Sequence, residues 1–135
     1  MPLITWIDSI AIDIKSIDAQ HQRWIGLIND LHDAMRQGKG KALIAQTLTK
    51  VVDYTQTHFA YEEELMTKAS YPEFAQHKAL HDEFVAKVQD WQRRQQASDV
   101  ALTLEVMGTL KDWLLNHIQT ADRRYAPWLK TTGLQ

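Results

Sequence analysis

Two pairs of potential metal ligands lie in the middle of the chain. His58 is followed four residues later by Glu62, and His77 is followed four residues later by His81. On an α-helix, side chains four residues apart lie on one face, one above the other. Imidazole nitrogens and carboxylate oxygens are ligands that transition metals accept. Because only one turn signal, Ser70-Tyr71-Pro72, separates the pairs, they predict a metal site between neighbouring helices.

The hydrophobic pattern predicts the helices that position these pairs. Apolar residues recur at alternating steps of three and four along four stretches, which is typical of helices with one buried face. These stretches are 17–35, 44–65, 74–91 and 102–117. The predicted connections are short and lie at Gly38-Lys39-Gly40, Ala69-Ser70 and Ser98-Asp99. Short connections favour antiparallel neighbours, so we expect an all-α fold, an antiparallel up-down-up-down four-helix bundle.

Local signals predict what flanks the helices. Ser16 or Asp18 is the expected N-cap of the first helix, and Pro72 is expected in the first turn of the third helix. The segment 2–14 is apolar but lacks a helical period, so we expect an extended N-terminal arm packed on the bundle. After Asp122 we expect a short C-terminal tail, because Pro127 opposes a long helical continuation.

Polar residues occupy several seam positions that are normally apolar, namely His21, His58, Glu62, His77, His81 and His117. The residue halfway between His21 and His58 in the chain falls within Gly38-Lys39-Gly40. The corresponding midpoints for the next two helix pairs fall at Ala69-Ser70 and at Ser98. Residues equally far from a connecting turn face each other in antiparallel helices. We therefore expect these side chains to lie in one layer of the bundle.

The layer has two physical interpretations. A single seam histidine is more often a hydrogen-bonded core residue than a ligand, and a metal-free hydrogen-bond network is the corresponding alternative for the whole set. Burying such polar groups without partners costs roughly 2–7 kcal/mol each, so metal coordination accounts best for their types, spacing and shared level. His32 would lie about 16 Å further along its helix than His21, so we expect it on a flank or the surface. Glu63 and Glu64 are expected on a solvated acidic face.

The number of candidate ligands indicates two metals. Five imidazoles and one carboxylate exceed the three protein ligands of a typical catalytic zinc. Two neighbouring metals need bridging anions, and Asp122, five residues after His117, is the candidate second carboxylate. On a regular helix these two side chains would point apart, so we expect the fourth helix to distort, end or bulge between them.

Composition narrows the classes of protein. The 135 residues suit one domain, 1–135, with a buried core. A net charge of −2 gives no electrostatic case for nucleic acid or an anionic membrane as partner. The absence of cysteine excludes thiolate ligands and disulfides. We find neither a signal peptide nor the roughly 18 apolar residues of a membrane span. We therefore expect a cytoplasmic protein without membrane insertion, as a monomer or weak oligomer.

The full pattern resembles the ligand set of the hemerythrins, especially the single-domain bacteriohemerythrins. It consists of His21, His58-x-x-x-Glu62, His77-x-x-x-His81 and His117-x-x-x-x-Asp122. The resemblance covers essentially the whole chain, including the arm with Trp6 and the sequence around Asp18-Ala19-Gln20. All seven ligand positions hold the expected residue types.

The resemblance implies two iron ions bridged by Glu62, Asp122 and an oxo or hydroxo group. One iron would take His77, His81 and His117, and the other would take His21 and His58. The second iron would keep one coordination position open, at which dioxygen binds reversibly for storage, transport or delivery to an oxygen-consuming enzyme. Apolar residues are expected around that position: Leu114 as the gate, with Phe59, Ile118, Trp113 and Ile25 as further candidates. For Trp113, as for Trp24, a plain core role is favoured.

Two other functions fit a di-iron bundle. A di-iron enzyme with oxidase, peroxidase or nitric-oxide activity is one alternative. Oxygen-activating bundles of the ferritin-like class use Glu-x-x-His motifs, which this sequence lacks. The other alternative is a module that senses oxygen or redox state, although no signalling domain is attached in this sequence. Reversible oxygen binding, without enzymatic turnover, is therefore the leading expectation.

Overall fold

The computed structural model describes residues 3–37, 41–96 and 102–131, and these form an all-α protein. The four main helices are α1 (Lys15–Arg36), α2 (Lys41–Lys68), α3 (Phe74–Gln96) and α4 (Leu102–His117). A π-helical turn, Ile118–Asp122, and a fifth helix, α5 (Arg123–Lys130), follow without a break. Successive helices pack on one another, and α1 also packs on α4. The predicted four-helix architecture is confirmed.

Contacts between α2 and α3 show that these helices are antiparallel. The Gln92 amide donates to Thr49 Oγ1 (3.0 Å) near one end, and Glu63 pairs with His81 near the other. Both pairs are nearly symmetric about the connection 69–73 between the two helices, in which Ser70 adopts a left-handed conformation with φ 54°. The turn predicted there is confirmed, whereas Gly38-Lys39-Gly40 and Ser98-Asp99 lie outside the described residues.

The N-terminal arm is largely extended, as predicted, apart from a short 3₁₀ turn at Asp8–Ile10. Its apolar side chains are buried against the bundle, among them Ile4, Ile12 and Ile14. Asn29 on α1 holds the arm by two hydrogen bonds to the Ile4 backbone, both 2.9 Å. Burial of these side chains provides the free energy that keeps a non-helical segment ordered.

The start of α1 differs from the sequence prediction. The helix begins at Lys15 after Ile14, without a side-chain cap, so neither Ser16 nor Asp18 is the N-cap. The Asp18 carboxylate instead accepts the backbone N–H groups of Ile12 (2.9 Å) and Asp13 (3.1 Å). Asp13 has a φ of 64°. Asp18 therefore stabilises the bend at which the arm enters α1.

The segment after Asp122, predicted as a tail, is helical. Helix α5 contains Pro127, which lacks the N–H group that a regular helix would use. Tyr125 and Leu129 are fully buried, at 0% exposure. Packing of an apolar face supplies most helical stability in proteins, and here it outweighs the cost of the proline. No helix in the described residues is both long and apolar enough to cross a membrane.

Candidate metal centre

One layer of the bundle brings together all seven side chains that the sequence singled out. Each is buried, with exposures of 0–4%: His21, His58, Glu62, His77, His81, His117 and Asp122. Their ligand atoms form two overlapping groups, within each of which the atoms lie no more than 4.8 Å apart. The two carboxylates belong to both groups, and the histidines divide between them. The shared level predicted from the midpoints is therefore present in the structure.

The first group contains three histidines: His77 and His81 from α3, and His117 from the end of α4. Asp122 Oδ1 lies 3.1 Å from His77 Nε2 and 3.0 Å from His117 Nε2. His81 Nε2 lies 3.2 Å from Glu62 Oε1 and 3.2 Å from the Nε2 atom of His117. All three imidazoles thus direct Nε2 towards the same small volume.

The second group contains two histidines and the other oxygen of each carboxylate. His21 Nε2 on α1 lies 3.1 Å from Asp122 Oδ2, and His58 Nε2 on α2 lies 3.3 Å from Glu62 Oε2. Each carboxylate therefore presents one oxygen to each group. This is the arrangement in which a carboxylate can bridge two metal ions.

The buried polar atoms of this layer fit metal ions better than they fit one another. Among the described residues, most buried side-chain atoms without a hydrogen-bond partner belong to it: His21 Nδ1 and Nε2, His58 Nε2, Glu62 Oε1, His77 Nε2 and both oxygens of Asp122. Each such atom costs about 1–3 kcal/mol. Two ligands bound to one ion at roughly 2.1 Å and at right angles lie roughly 3.0 Å apart. The closest separations above match that spacing.

The surrounding imidazoles favour the ionised form of both carboxylates. Burial by itself raises the pKa of Glu62, but the surrounding imidazoles, with His58 the largest contributor, lower its pKa well below the usual value. The pKa of Asp122 is raised by burial and by the charge of Glu62, but His117 and His21 outweigh both effects and lower it. Burial lowers the pKa of His21, whereas Asp122 and Glu62 raise it to about 9. The layer thus combines two anionic carboxylates with imidazoles, as a cationic ligand requires.

Two further residues orient ligand histidines through the second ring nitrogen. His58 Nδ1 donates to Gln20 Oε1 (2.7 Å), and His81 Nδ1 donates to Glu63 Oε2 (2.9 Å). A proton on Nδ1 leaves the lone pair of Nε2 free for a metal. The expectation that Glu63 lies on a solvated acidic face is wrong, since only 21% of its side chain is exposed. The direction of the Glu63 side chain depends on the rotation of α2 relative to α3, which the sequence alone does not reveal.

Tyr125 is a residue of the site that the sequence reasoning missed. Its hydroxyl donates to Glu62 Oε2 (2.6 Å), and its ring lies 5.2 Å from that of His77. Burial, followed by the charges of Glu62 and Asp122, raises the pKa of Tyr125 well above its usual value, so the phenol remains a donor. The three-residue step from Asp122 to Tyr125 and the four-residue step to Leu129 continue the helical seam, and that signal could have revealed it.

Aromatic rings pack directly on the imidazoles. Phe59 stacks on His81 with centroids 3.8 Å apart and ring planes within 1°, and Trp113 stacks on His117 at 4.3 Å. Trp24 lies 5.2 Å from His58. These contacts restrict the rotation of the rings that bear the candidate ligands.

The remaining candidates for an oxygen pocket are apolar and buried. Leu114 and Ile118 have 0% exposure and Ile25 has 4%. All three belong to the hydrophobic core. The partly buried ring of Tyr61 also packs against that core.

The backbone distortion expected between His117 and Asp122 is confirmed. It is the π-helical turn Ile118–Asp122, whose wider i→i+5 spacing returns the fifth residue to the same face. His32 takes no part in either group of candidate ligands, and its side chain is partly exposed, as expected.

Fold and site together define a four-helix bundle with a buried histidine–carboxylate centre suited to two metal ions. Residues 13–129 match the family model described as the hemerythrin HHE cation binding domain. The bacteriohemerythrin of Stenotrophomonas maltophilia (strain R551-3) is 42% identical over 131 residues, which cover 96% of this chain and 84% of that protein. The chain belongs to the hemerythrin family.

Other relatives and solved structures agree over nearly the full length. The bacteriohemerythrin of Methylococcus capsulatus (strain ATCC 33009 / NCIMB 11132 / Bath) is 34% identical over 130 residues, covering 96% of this chain and 98% of that protein. A wild-type hemerythrin crystal structure superposes with a TM-score of 0.88 at 34% identity, covering 94% of this chain and 98% of that chain. This chain is therefore similar to these proteins along nearly its whole length.

Proposed function

We propose that this protein binds dioxygen reversibly at a di-iron centre. The observation that carries the proposal is the division of the ligands. Glu62 and Asp122 each present one oxygen to a group of three histidines and one to a group of two. In the proposal His77, His81 and His117 would hold one iron, His21 and His58 would hold the other, and both ions would share the two carboxylates.

The unequal number of histidines indicates where dioxygen enters. The side with His21 and His58 offers one protein ligand fewer, so the proposal assigns dioxygen to that side. When bound, two ferrous ions supply the two electrons with which dioxygen is held reversibly.

The chain's own residues then act in three ways. Gln20 and Glu63 fix the imidazoles of His58 and His81, and Tyr125 fixes the Glu62 carboxylate. The apolar side chains of Leu114, Ile118 and Ile25, which are buried with at most 4% exposure, exclude water. A dry environment limits loss of the electrons to solvent. Storage or delivery of oxygen to a consuming enzyme is the physiological role that we infer from such a centre.

The test combines iron loading with optical spectroscopy. Protein reconstituted with ferrous ions under argon is expected to bind two irons per chain. It should then develop and lose a visible charge-transfer band over repeated cycles of aeration and deoxygenation. His58→Ala should abolish the band. His32→Ala, which removes a histidine outside the layer, should leave both stoichiometry and band unchanged. One iron per chain, or irreversible bleaching in the first cycle, would contradict the proposal.

A further inference from the structure

A line of aromatic side chains connects the candidate centre with the protein surface. Tyr125 contacts both Glu62 and His77. The Tyr71 ring lies 6.3 Å from that of Tyr125, at an interplanar angle of 86°. Trp128 follows, with its ring 6.3 Å from that of Tyr71. Exposure rises along the line from 0% at Tyr125 through 7% at Tyr71 to 40% at Trp128.

The hydrogen bonds of this line suit one-electron oxidation of Tyr71. Its hydroxyl donates to Glu73 Oε2 (3.1 Å), so a carboxylate is in place to accept the phenolic proton when the ring loses an electron. The Glu73 side chain is 45% exposed, which allows it to exchange protons with solvent. The Trp128 Nε1–H group donates to the carbonyl oxygen of Ala69 (2.7 Å), which is a weak base and keeps the indole in a fixed orientation.

We propose that Tyr71 and Trp128 form an electron-transfer route between the protein surface and the centre. Through this route a small one-electron reductant, such as ascorbate, reduces the centre after the centre has reacted with hydrogen peroxide. The inference rests on the proposed function, because it requires iron in the centre. It adds a peroxide-reducing activity and a surface site for the reductant to the reversible binding of oxygen.

The electron and proton balance is complete for each turnover. One hydrogen peroxide molecule takes two electrons and two protons and yields two water molecules. Tyr71 would give one electron towards the oxidised centre across the ring of Tyr125, and would give its phenolic proton to Glu73. Trp128 then gives one electron to Tyr71, which regains its proton from Glu73. Ascorbate returns one electron to Trp128, and the sequence occurs twice per peroxide, with the two protons taken from solution.

Trp113 offers a shorter path to the surface, since it is partly exposed and stacks directly on His117, but that path contains no phenol. Trp113 stacks between His117 and Phe84, at 4.3 Å and 3.9 Å. The next indole, Trp91, is reached only across Phe84, whose ring is much harder to oxidise than a phenol or an indole. Trp91 is also buried, at 4% exposure. Among the residues that the structure describes, only the line through Tyr71 combines a phenol, a neighbouring carboxylate and an exposed indole.

The experiment maps oxidation of iron-loaded protein by hydrogen peroxide without reductant, using peptide mass spectrometry. Oxidation products are expected at Trp128 well above their level at Trp6, a partly exposed indole on the arm. Tyr71→Phe should lower oxidation of Trp128 severalfold while its exposure stays the same, and should increase oxidation of Trp113. Ascorbate should protect Trp128. Freeze-quenched samples should show a tyrosyl radical by electron paramagnetic resonance that is absent from Tyr71→Phe.

Glu73→Gln serves as the variant that retains both rings. It should also lower oxidation of Trp128, because the phenolic proton then has no carboxylate to accept it, whereas a purely structural role of the aromatic line predicts no change. Equal Trp128 oxidation in the wild type, Tyr71→Phe and Glu73→Gln would show direct attack by peroxide and overturn the route. If the iron-loaded protein binds oxygen reversibly but Trp128 oxidation does not change in the variants, the route alone is rejected. Failure to bind iron rejects the route together with the proposed function.

Discussion

Replacement of Glu63 by glutamine tests whether the hydrogen bond to His81 tunes the candidate centre. The wild-type carboxylate accepts the Nδ1 proton at 2.9 Å, and a glutamine amide oxygen can accept the same proton without charge. Hydrogen bonds to charged groups contribute about 1.5–3 kcal/mol and neutral ones about 0.5–1.5 kcal/mol. The variant should therefore lose about 1 kcal/mol of ligand stabilisation, a value kept low by the 21% exposure of the side chain.

Two measurements follow from that figure. A loss of about 1 kcal/mol corresponds to roughly fivefold weaker binding of a divalent ion, which competition titration of the metal-free protein with cobalt(II) can measure. The negative charge favours the more oxidised ion, so the reduction potential of the iron form should rise by roughly 40 mV in Glu63→Gln. Gln20→Glu should lower the potential, because it adds the corresponding charge beside His58.

The matched control is Glu64→Gln. Glu64 is adjacent in sequence, but its side chain is 62% exposed and pairs with Lys68. This variant removes the same charge without touching His81. If Glu63→Gln and Glu64→Gln gave the same metal affinity and the same potential, the effect would be a general change in surface charge, and the reasoning from the hydrogen bond would fail.

Three further predictions concern the apolar residue Leu114, the hydrogen bond from Tyr125 to Glu62 and the dependence of stability on pH. Leu114→Ala should shorten the lifetime of the oxygenated form in air, measured from its visible spectrum. The same variant should lower the free energy of unfolding by about 2–5 kcal/mol. An unchanged lifetime would exclude Leu114 as the gate. Tyr125→Phe should lower the free energy of unfolding of the metal-free protein by about 1.5–3 kcal/mol, because the hydrogen bond to the Glu62 carboxylate is lost. Urea denaturation measures this change. A change near zero would show that water replaces the hydroxyl. The pKa of His21 is raised from 6.5 to about 9 on folding, so the folded state binds more protons than the unfolded state between these pH values. The metal-free protein should therefore lose stability as the pH rises from about 6.5 to 9. Denaturation midpoints that stay flat or rise over that range, or that fall equally in His21→Gln, would contradict this prediction.

The layer of ligands was predictable because its members violate the hydrophobic pattern. His21, His58 and His117 occupy positions at which a bundle helix normally carries leucine or isoleucine. Their distances from the intervening turns then place them at one level, and the structure confirms that level. The π turn was predictable for a similar reason. A carboxylate five residues after His117 reaches the centre only if the helix is irregular.

The residues that support the ligands were much harder to predict. Gln20 and Glu63 are polar residues beside a seam, and the sequence does not distinguish such a position at a helix interface from one on the surface. Their direction is set by the rotation of α1, α2 and α3 relative to one another. Asp18 shows the same limit: its type and position suit an N-cap, yet its carboxylate binds backbone N–H groups of the arm.

The C-terminal segment shows how a strong local signal can be outweighed. Pro127 indicates the end of a helix, and that signal led to the prediction of a tail. The buried side chains of Tyr125 and Leu129 recur at helical spacing and provide the compensating packing. The prediction of a tail leaves Tyr125 out of the predicted site, although its hydroxyl donates to Glu62.

The π turn also indicates where this chain tolerates a change in length. Such a turn is an α-helical turn with one additional residue. Deletion of the exposed Gln119 would leave His117 and the following aspartate four residues apart, which is the spacing of His58 and Glu62 on a regular helix. The residues beyond it would keep their orientation. A deletion elsewhere in α4 would rotate everything after it by about 100°. We therefore expect a one-residue deletion at 118–121 to leave the metal-binding layer intact.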